Sequence, residues 1–292
     1  MPDAHFQHAL SQAASRVETS LKTLLPAESE GRIAQAMRYA ALSGGKRLRA
    51  FLVLESAAMF DVPAAQANAT AAAIECLHAY SLVHDDLPAM DNDDLRRGQP
   101  TLHIKWDDAT AVLAGDALQT VAFEILAGMD AGADIRLALI SSLAIASGGR
   151  GMVQGQDMDV AAETAAVPLD LTAITRLQTL KTGALIRWSA AAGALLANQD
   201  PAPLHAYANA LGLAFQIRDD ILDIEGDAET AGKRLRKDTE AGKATFVSLL
   251  GLEGAKSRAV ELVAQANASL APYGDRAENL RSAAQYTITR AT

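Results

Sequence analysis

A single cysteine, Cys76, is present in 292 residues. With no second thiol on the chain, an internal disulfide framework is excluded, and a reducing, cytoplasmic setting is expected. The setting of Cys76, Ala-Ile-Glu-Cys-Leu-His, reads as a small buried apolar side chain rather than a nucleophile. Basic charge is in deficit, 26 Lys and Arg against 35 Asp and Glu for a net −9. Nucleic-acid binding through bulk electrostatics is therefore not expected. A polyanionic substrate would be repelled as well, unless metal ions or local cations reverse the sign at its site. No run of about twenty residues is free of charge, so no membrane-spanning helix is expected. The first residues, Met-Pro-Asp-Ala-His-Phe-Gln-His, have neither the basic start nor the apolar core of a secretory leader.

What the chain does have is Ala and Leu. Half of it is hydrophobic and only 4% is aromatic, a balance that favours close-packed helices over a sheet sandwich. Helical periodicity predicts helices over 4–24, 31–43, 46–60, 64–87, 108–129, 134–149, 169–181 running on to about 197, 203–225, 241–271 and 275–290. Pro26, Gly44-Gly45, Pro63, Pro88, Pro168 and Pro201 to Pro203 fall at the breaks. No Ser/Gly-rich linker divides the chain. The expectation is one all-α domain over 1–292, a single large helical bundle. The polar stretch from Glu225 to Gly242 is either a solvated loop or a flap over a ligand.

Two aspartate-rich segments carry most of the chemistry. Carboxylates gathered beside apolar sequence repel one another unless a cation lies between them. Hard divalent ions with oxygen ligands, Mg²⁺ above all, are the usual answer. In the second segment, Gln216, Asp219, Asp220 and Asp223 fall at i, i+3, i+4 and i+7 on one helical stripe, with Arg218 as their only basic neighbour in sequence. In the first, Asp85 and Asp91 stand about 240° apart on a straight helix. Pro88 predicts that the helix ends or kinks near Leu87, so that the next turn returns Asp91 to Asp85. Asp86 lies between them. Arg96-Arg97, just behind, reads as a surface pair alone and as a phosphate contact beside such a cluster. Gly44-Gly45-Lys46-Arg47-Leu48-Arg49 is a glycine turn opening a helix with three cations, suited to an anion but unlike a Walker loop. Lys181-Thr182 places a cation in an apolar helix, where it is either functional or snorkelling. His78, seven residues before Asp85, reads in isolation as a hydrogen-bonded core histidine.

Asp-Asp-x-x-x-x-Asp with Arg-Arg-Gly, Gly-Gly-Lys-Arg-Leu-Arg, Lys-Thr-Gly and Phe-Gln-x-x-Asp-Asp-x-x-Asp, spread over residues 43 to 247, together resemble the short-chain trans-isoprenyl diphosphate synthases, the polyprenyl synthetases, and most of all their bacterial farnesyl diphosphate-forming members. The resemblance implies an all-helical homodimer whose central cavity is lined by the two Asp-rich motifs. It implies a Mg²⁺-dependent prenyltransferase, with about three ions per site and Mn²⁺ a possible substitute, that joins isopentenyl diphosphate to dimethylallyl or geranyl diphosphate. Carried over, Asp85 and Asp91 with Asp86 in support hold metal on the allylic diphosphate, and Asp219 with Asp220 and Asp223 holds a further ion. Arg96 and Lys181, with Lys233 and Lys243 from the flap, contact the allylic diphosphate. Lys46, Arg49, His78 and Arg97 bind isopentenyl diphosphate. Gln216 and Thr182 line the space where the allylic cation forms, and Gln154 faces the same cavity. No nucleophilic triad is needed or evident.

In such enzymes bulky residues just before the first motif limit chain growth. Tyr80 and Ser81 occupy those positions, and Tyr80 points to a C15 product, with geranyl and geranylgeranyl diphosphate as alternatives. Asn92 stands where relatives often carry Asp, and the tail ends in Arg290-Ala291-Thr292 where they often carry more basic residues. A terpene cyclase would carry a different second motif and lack Lys46 and Arg49. A non-catalytic subunit would have lost motif aspartates.

Overall fold

The computed structural model describes residues 4–165, 167–225 and 244–290. Lys233 and Lys243 lie outside the described residues. The order is α1 (Ala4–Leu24), α2 (Arg32–Leu42), α3 (Leu48–Met59), α4 (Ala64–Asp85), α5 (Leu102–Lys105), α6 (Asp108–Gly128), α7 (Ala133–Ser147) and α8 (Met152–Glu163). Then come α9 (Leu171–Gln178), a π-helical turn (Thr179–Gly183), α10 (Ala184–Leu196), α11 (Ala202–Glu225), α12 (Phe246–Leu250), α13 (Leu252–Ser269) and α14 (Glu278–Thr289). The all-α expectation holds, and one hydrophobic core runs from Phe6 on α1 to Ala284 on α14.

Central α4 and α10 are buried nearly all the way round. Ala71-Ala72-Ala73 on α4 and Ala190-Ala191-Ala192 on α10 are fully buried. Side chains this small let backbones approach closely at little cost in rotamer entropy. α4 packs against α3 and α6, α10 against α3 and α11, and α11 against α13. Side-chain caps mark three starts: Asp107 accepts from the Thr110 N–H at 2.6 Å, Asp170 from the Ala173 N–H at 2.8 Å and Thr245 from the Ser248 N–H at 3.1 Å. α6 is long and apolar enough to cross a membrane, but it carries Asp108, Asp116 and Glu124, and 44% of its apolar window is buried in the bundle.

Several elements depart from the sequence reading. α5 and α8 were not anticipated. The helix expected from 169 to about 197 winds through a π turn at 179–183, and Gly251 separates α12 from α13 where one helix was expected. Leu95–Arg96 pairs antiparallel with Gln99–Pro100 across Arg97-Gly98, both at positive φ (53° and 73°), the pattern of a tight hairpin turn.

Candidate active site

α4 ends at Asp85, and the chain folds back on itself. The Asp91 N–H donates to the Asp85 carbonyl at 2.8 Å, and the Asn92 N–H to that of Leu87 at 3.2 Å. The turn expected of Pro88 is thus present, and it returns the Asp91 backbone to Asp85. Burial raises the Asp85 carboxyl to about 6; nearby Lys181 opposes this and Asp91 adds to it. Asp86 is only 4% exposed and grips Arg96, whose Nη2 lies 2.6 Å from one carboxylate oxygen and whose Nε lies 2.9 Å from both. Arg96 ends its strand and Arg97 opens the turn at φ 53°, so the hairpin sends Arg96 to Asp86 and Arg97 elsewhere.

Arg97 reaches the glycine turn before α3. Its Nη1 donates to the Gly44 carbonyl and, at 3.4 Å, to the Ser43 hydroxyl. Its guanidinium lies over Gly45, where an added Cβ would stand 2.6 Å from the guanidinium carbon, and Gly45 itself has φ 107°. Only glycine satisfies both the approach and the backbone. Arg97 joins Lys46, Arg49, His78, Thr182 and Arg290 around a cavity of about 620 Å³. The described lining includes none of the six motif aspartates.

The cations here are held by their neighbours. Arg47, at left-handed φ 52°, pairs with buried Glu75 at 3.1 Å and donates to the Ala41 carbonyl at 2.7 Å. Glu75 in turn accepts from the Ala50 N–H at 3.1 Å. Arg49 lies 3.2 Å from His78 Nε2. Burial, then Arg49, Arg97, Arg96 and Arg47, holds the His78 imidazole well below its ordinary value, so it is neutral and can accept from Arg49. Burial also lowers the Arg49 guanidinium, with Glu75 opposing and Arg97 adding. A cavity with this many crowded guanidinium groups is electrostatically suited to an anion.

On α11, Gln216 donates to Gln178 Oε1 at 2.7 Å, and Asp220 accepts from the Phe246 N–H at 2.6 Å, at the start of α12. Asp219 accepts from Arg290 at 2.6 Å. That partner lies 71 residues away in sequence, so in space Arg218 is not the stripe's only basic neighbour. Lys181, in the π turn, is neither unpaired nor snorkelling: it donates to Asp159 of α8 at 2.7 Å and is 25% exposed. An added Cβ at Gly155 of α8 would stand 2.1 Å from the Lys181 backbone nitrogen, so the π turn rests directly on α8. Gln154 donates to Asp157 at 3.1 Å and borders a hollow with Arg150 and Arg176. Tyr80 is 6% exposed with its ring edge-on to His84 at 5.6 Å, and the Ser81 hydroxyl donates to the His78 carbonyl at 2.9 Å.

Arg47, Glu75, Asp159 and Arg290 were not singled out as site residues in the sequence. A Glu one helical turn before His78 was the available signal for the first pair, and a basic residue closing the last helical segment was the signal for Arg290.

The polyprenyl synthetase family model matches residues 30–274. The chain belongs to the polyprenyl synthetase family. Among relatives of this polyprenyl synthetase, the farnesyl diphosphate synthase of Escherichia coli is 49% identical over 268 residues, covering 88% of this chain and 89% of that protein. The farnesyl diphosphate synthase of Haemophilus influenzae is 42% identical and covers 98% of this chain and 99% of its own length. In three dimensions the chain superposes on an FPP/GFPP synthase from Zymomonas mobilis with a TM-score of 0.89 at 50% identity, covering 97% of this chain and 99% of that one.

Proposed function

We propose that this polyprenyl synthetase is a farnesyl diphosphate synthase: it condenses isopentenyl diphosphate with dimethylallyl and then geranyl diphosphate. The observation that carries the reading is the pairing of a cationic cavity with a carboxylate turn, joined through Lys181-Thr182. Thr182 lines the cavity, and Lys181 stands close enough to Asp85 to pull its carboxyl down. One substrate is gripped by cations and the other through metal, which suits two diphosphates that must meet but not exchange places.

The family's divalent metal requirement fits the donors present. Asp85 is a buried carboxyl beside like charges, and a cation would remove the cost that raises it to about 6. Among the described residues no three His, Cys, Asp or Glu groups gather around one point. Mg²⁺ takes one or two carboxylates and completes its sphere with water and substrate phosphate. Asp85, Asp91 and Asp219 are assigned as ligands, with Asp86, Asp220 and Asp223 supporting, for about three Mg²⁺. Bound metal would neutralise charge developing on the leaving diphosphate.

The chain's own residues do the rest. Arg49, Lys46 and Arg97, with neutral His78 accepting from Arg49, hold isopentenyl diphosphate. Arg96 and Lys181 are assigned to the allylic diphosphate, as are Lys233 and Lys243 outside the described residues; Arg96 is pre-positioned by Asp86. The allylic C–O bond breaks and the electron pair leaves with the diphosphate. The double bond of isopentenyl diphosphate then attacks the allylic cation, and a proton departs to the released diphosphate. Gln216 and Thr182 border the cation with polar atoms that stabilise positive charge without attacking it.

Tyr80, buried one turn before Asp85, is assigned as the stop that sets C15. The Z. mobilis relative is named for two products, FPP and GFPP, so the length reached here rests on Tyr80. A homodimer in the cytoplasm is the proposed state. α6 and α7 expose Val112, Leu113, Leu137 and Ile145 at 40–65%, an apolar face suited to an isologous partner. The test is to incubate the purified protein with Mg²⁺, isopentenyl diphosphate and each allylic primer, then size the products. Farnesyl diphosphate from geranyl diphosphate supports the reading; a cyclised hydrocarbon or no product overturns it.

A further inference from the structure

Arg290 follows α14 and is 5% exposed. Its Nη2 donates to Asp219 Oδ1 at 2.6 Å and to the Phe215 carbonyl at 3.3 Å, and its Nε donates to the Thr287 carbonyl at 3.3 Å. The guanidinium carbon lies 4.0 Å from the Phe215 ring centre. The Arg290 carbonyl accepts from Arg218 Nε at 3.2 Å and Nη2 at 2.7 Å. A side chain fixed at so many points is not a frayed tail. Its charge sits on the first carboxylate of the second motif, and the same guanidinium lines the cationic cavity.

We propose that Arg290 is a positioning residue that sets the metal affinity of the second motif. The guanidinium is a tethered cation that occupies Asp219 until a divalent ion displaces it. Two positive groups on one carboxylate weaken each other, since each neutralises part of the charge that holds the other. A charge-assisted bond of 2.6 Å is among the stronger polar contacts a protein makes, so a divalent ion at Asp219 competes against it. The Phe215 ring and carbonyl hold the guanidinium against Asp219, while the bond from its Nε to the Thr287 carbonyl tethers it after displacement and keeps the exchange reversible. The inference rests on the reading of Asp219 as a metal ligand, and the control below separates the two.

The test uses the full chain without substrate, with Mn²⁺ alone as the probe and free Mn²⁺ followed by electron paramagnetic resonance. Arg290→Gln is expected to tighten the weakest Mn²⁺ site by about tenfold, the scale of one charge-assisted hydrogen bond removed from the competing state. Arg290→Lys, which keeps the charge but loses the planar fork, should fall between. Asp219→Asn should weaken the same site. An Arg290→Gln affinity equal to or weaker than wild type, with Asp219→Asn weakened, overturns the inference and leaves the reading of Asp219 standing. An unchanged affinity in Asp219→Asn overturns both. If the Arg290 variants do not fold, Phe215→Leu decides, since it removes the aromatic face and leaves both charged groups. A tightening of about twofold to fivefold supports the inference, and no change overturns it.

Discussion

The contact between α8 and the π turn makes Gly155 the most informative single substitution. In Gly155→Ala the new methyl would stand 2.1 Å from the Lys181 nitrogen, 2.5 Å from its Cα and 2.7 Å from the Leu180 carbonyl carbon. All three are backbone atoms, so no flexible side-chain end can swing aside. Ordinary contact begins at about 3.5 Å, and the two segments must therefore part by roughly 1.4 Å. Overpacking of this kind costs about 1–3 kcal/mol, and for a chain of this size each kcal/mol lowers Tm by roughly 2–4 °C. The functional effect is expected to be larger than the thermal one. Lys181 and Thr182 ride on the displaced turn, and a shift near 1 Å at a reacting centre costs on the order of 100-fold in rate. Thermal scans and steady-state rates with geranyl and isopentenyl diphosphate are the assay. Wild-type Tm and kcat in Gly155→Ala would refute the claim that α8 positions the turn.

Tyr80→Ala should lengthen the products, and a chromatographic profile still ending at C15 would remove Tyr80 from the account. Asp85 gives a pH prediction for the metal-free protein. Its folded carboxyl, raised to about 6, holds a proton more tightly than in the unfolded chain. Its contribution to stability is therefore full below about 3.9 and lost as pH rises through about 6. Asp85→Asn, which carries no charge at any pH, should raise the metal-free Tm at pH 8, with a gain that shrinks below about pH 5. Parallel Tm profiles of wild type and Asp85→Asn from pH 5 to 8 would contradict this.

Much of this architecture was legible in the sequence, because most helices carry Ala- and Leu-rich apolar periodicity and end where Pro or Gly stands. α4 begins after Pro63 and stops ahead of Pro88, and α11 begins after Pro201. The turn that returns Asp91 to Asp85 followed from the same reasoning. α8 was missed because its buried residues are only Met152 and Gly155, while Gln154, Gln156, Asp157 and Asp159 give it no apolar stripe. The π turn adds a residue to a helix without changing its composition, so local propensity does not reveal it. Arg290 with Asp219, and Lys181 with Asp159, are contacts between elements distant in sequence. Residue type showed that these charges needed partners; only the packing of α14 on α11 and of α8 on the π turn supplies them.

The most direct test of the two-walled carboxylate site is anomalous diffraction from crystals grown with Mn²⁺ and an unreactive thiolo analogue of an allylic diphosphate. The account predicts manganese peaks at Asp85 and Asp91 and another at Asp219, all touching the analogue's diphosphate. Manganese bound at only one motif, or a diphosphate seated away from both, would contradict it.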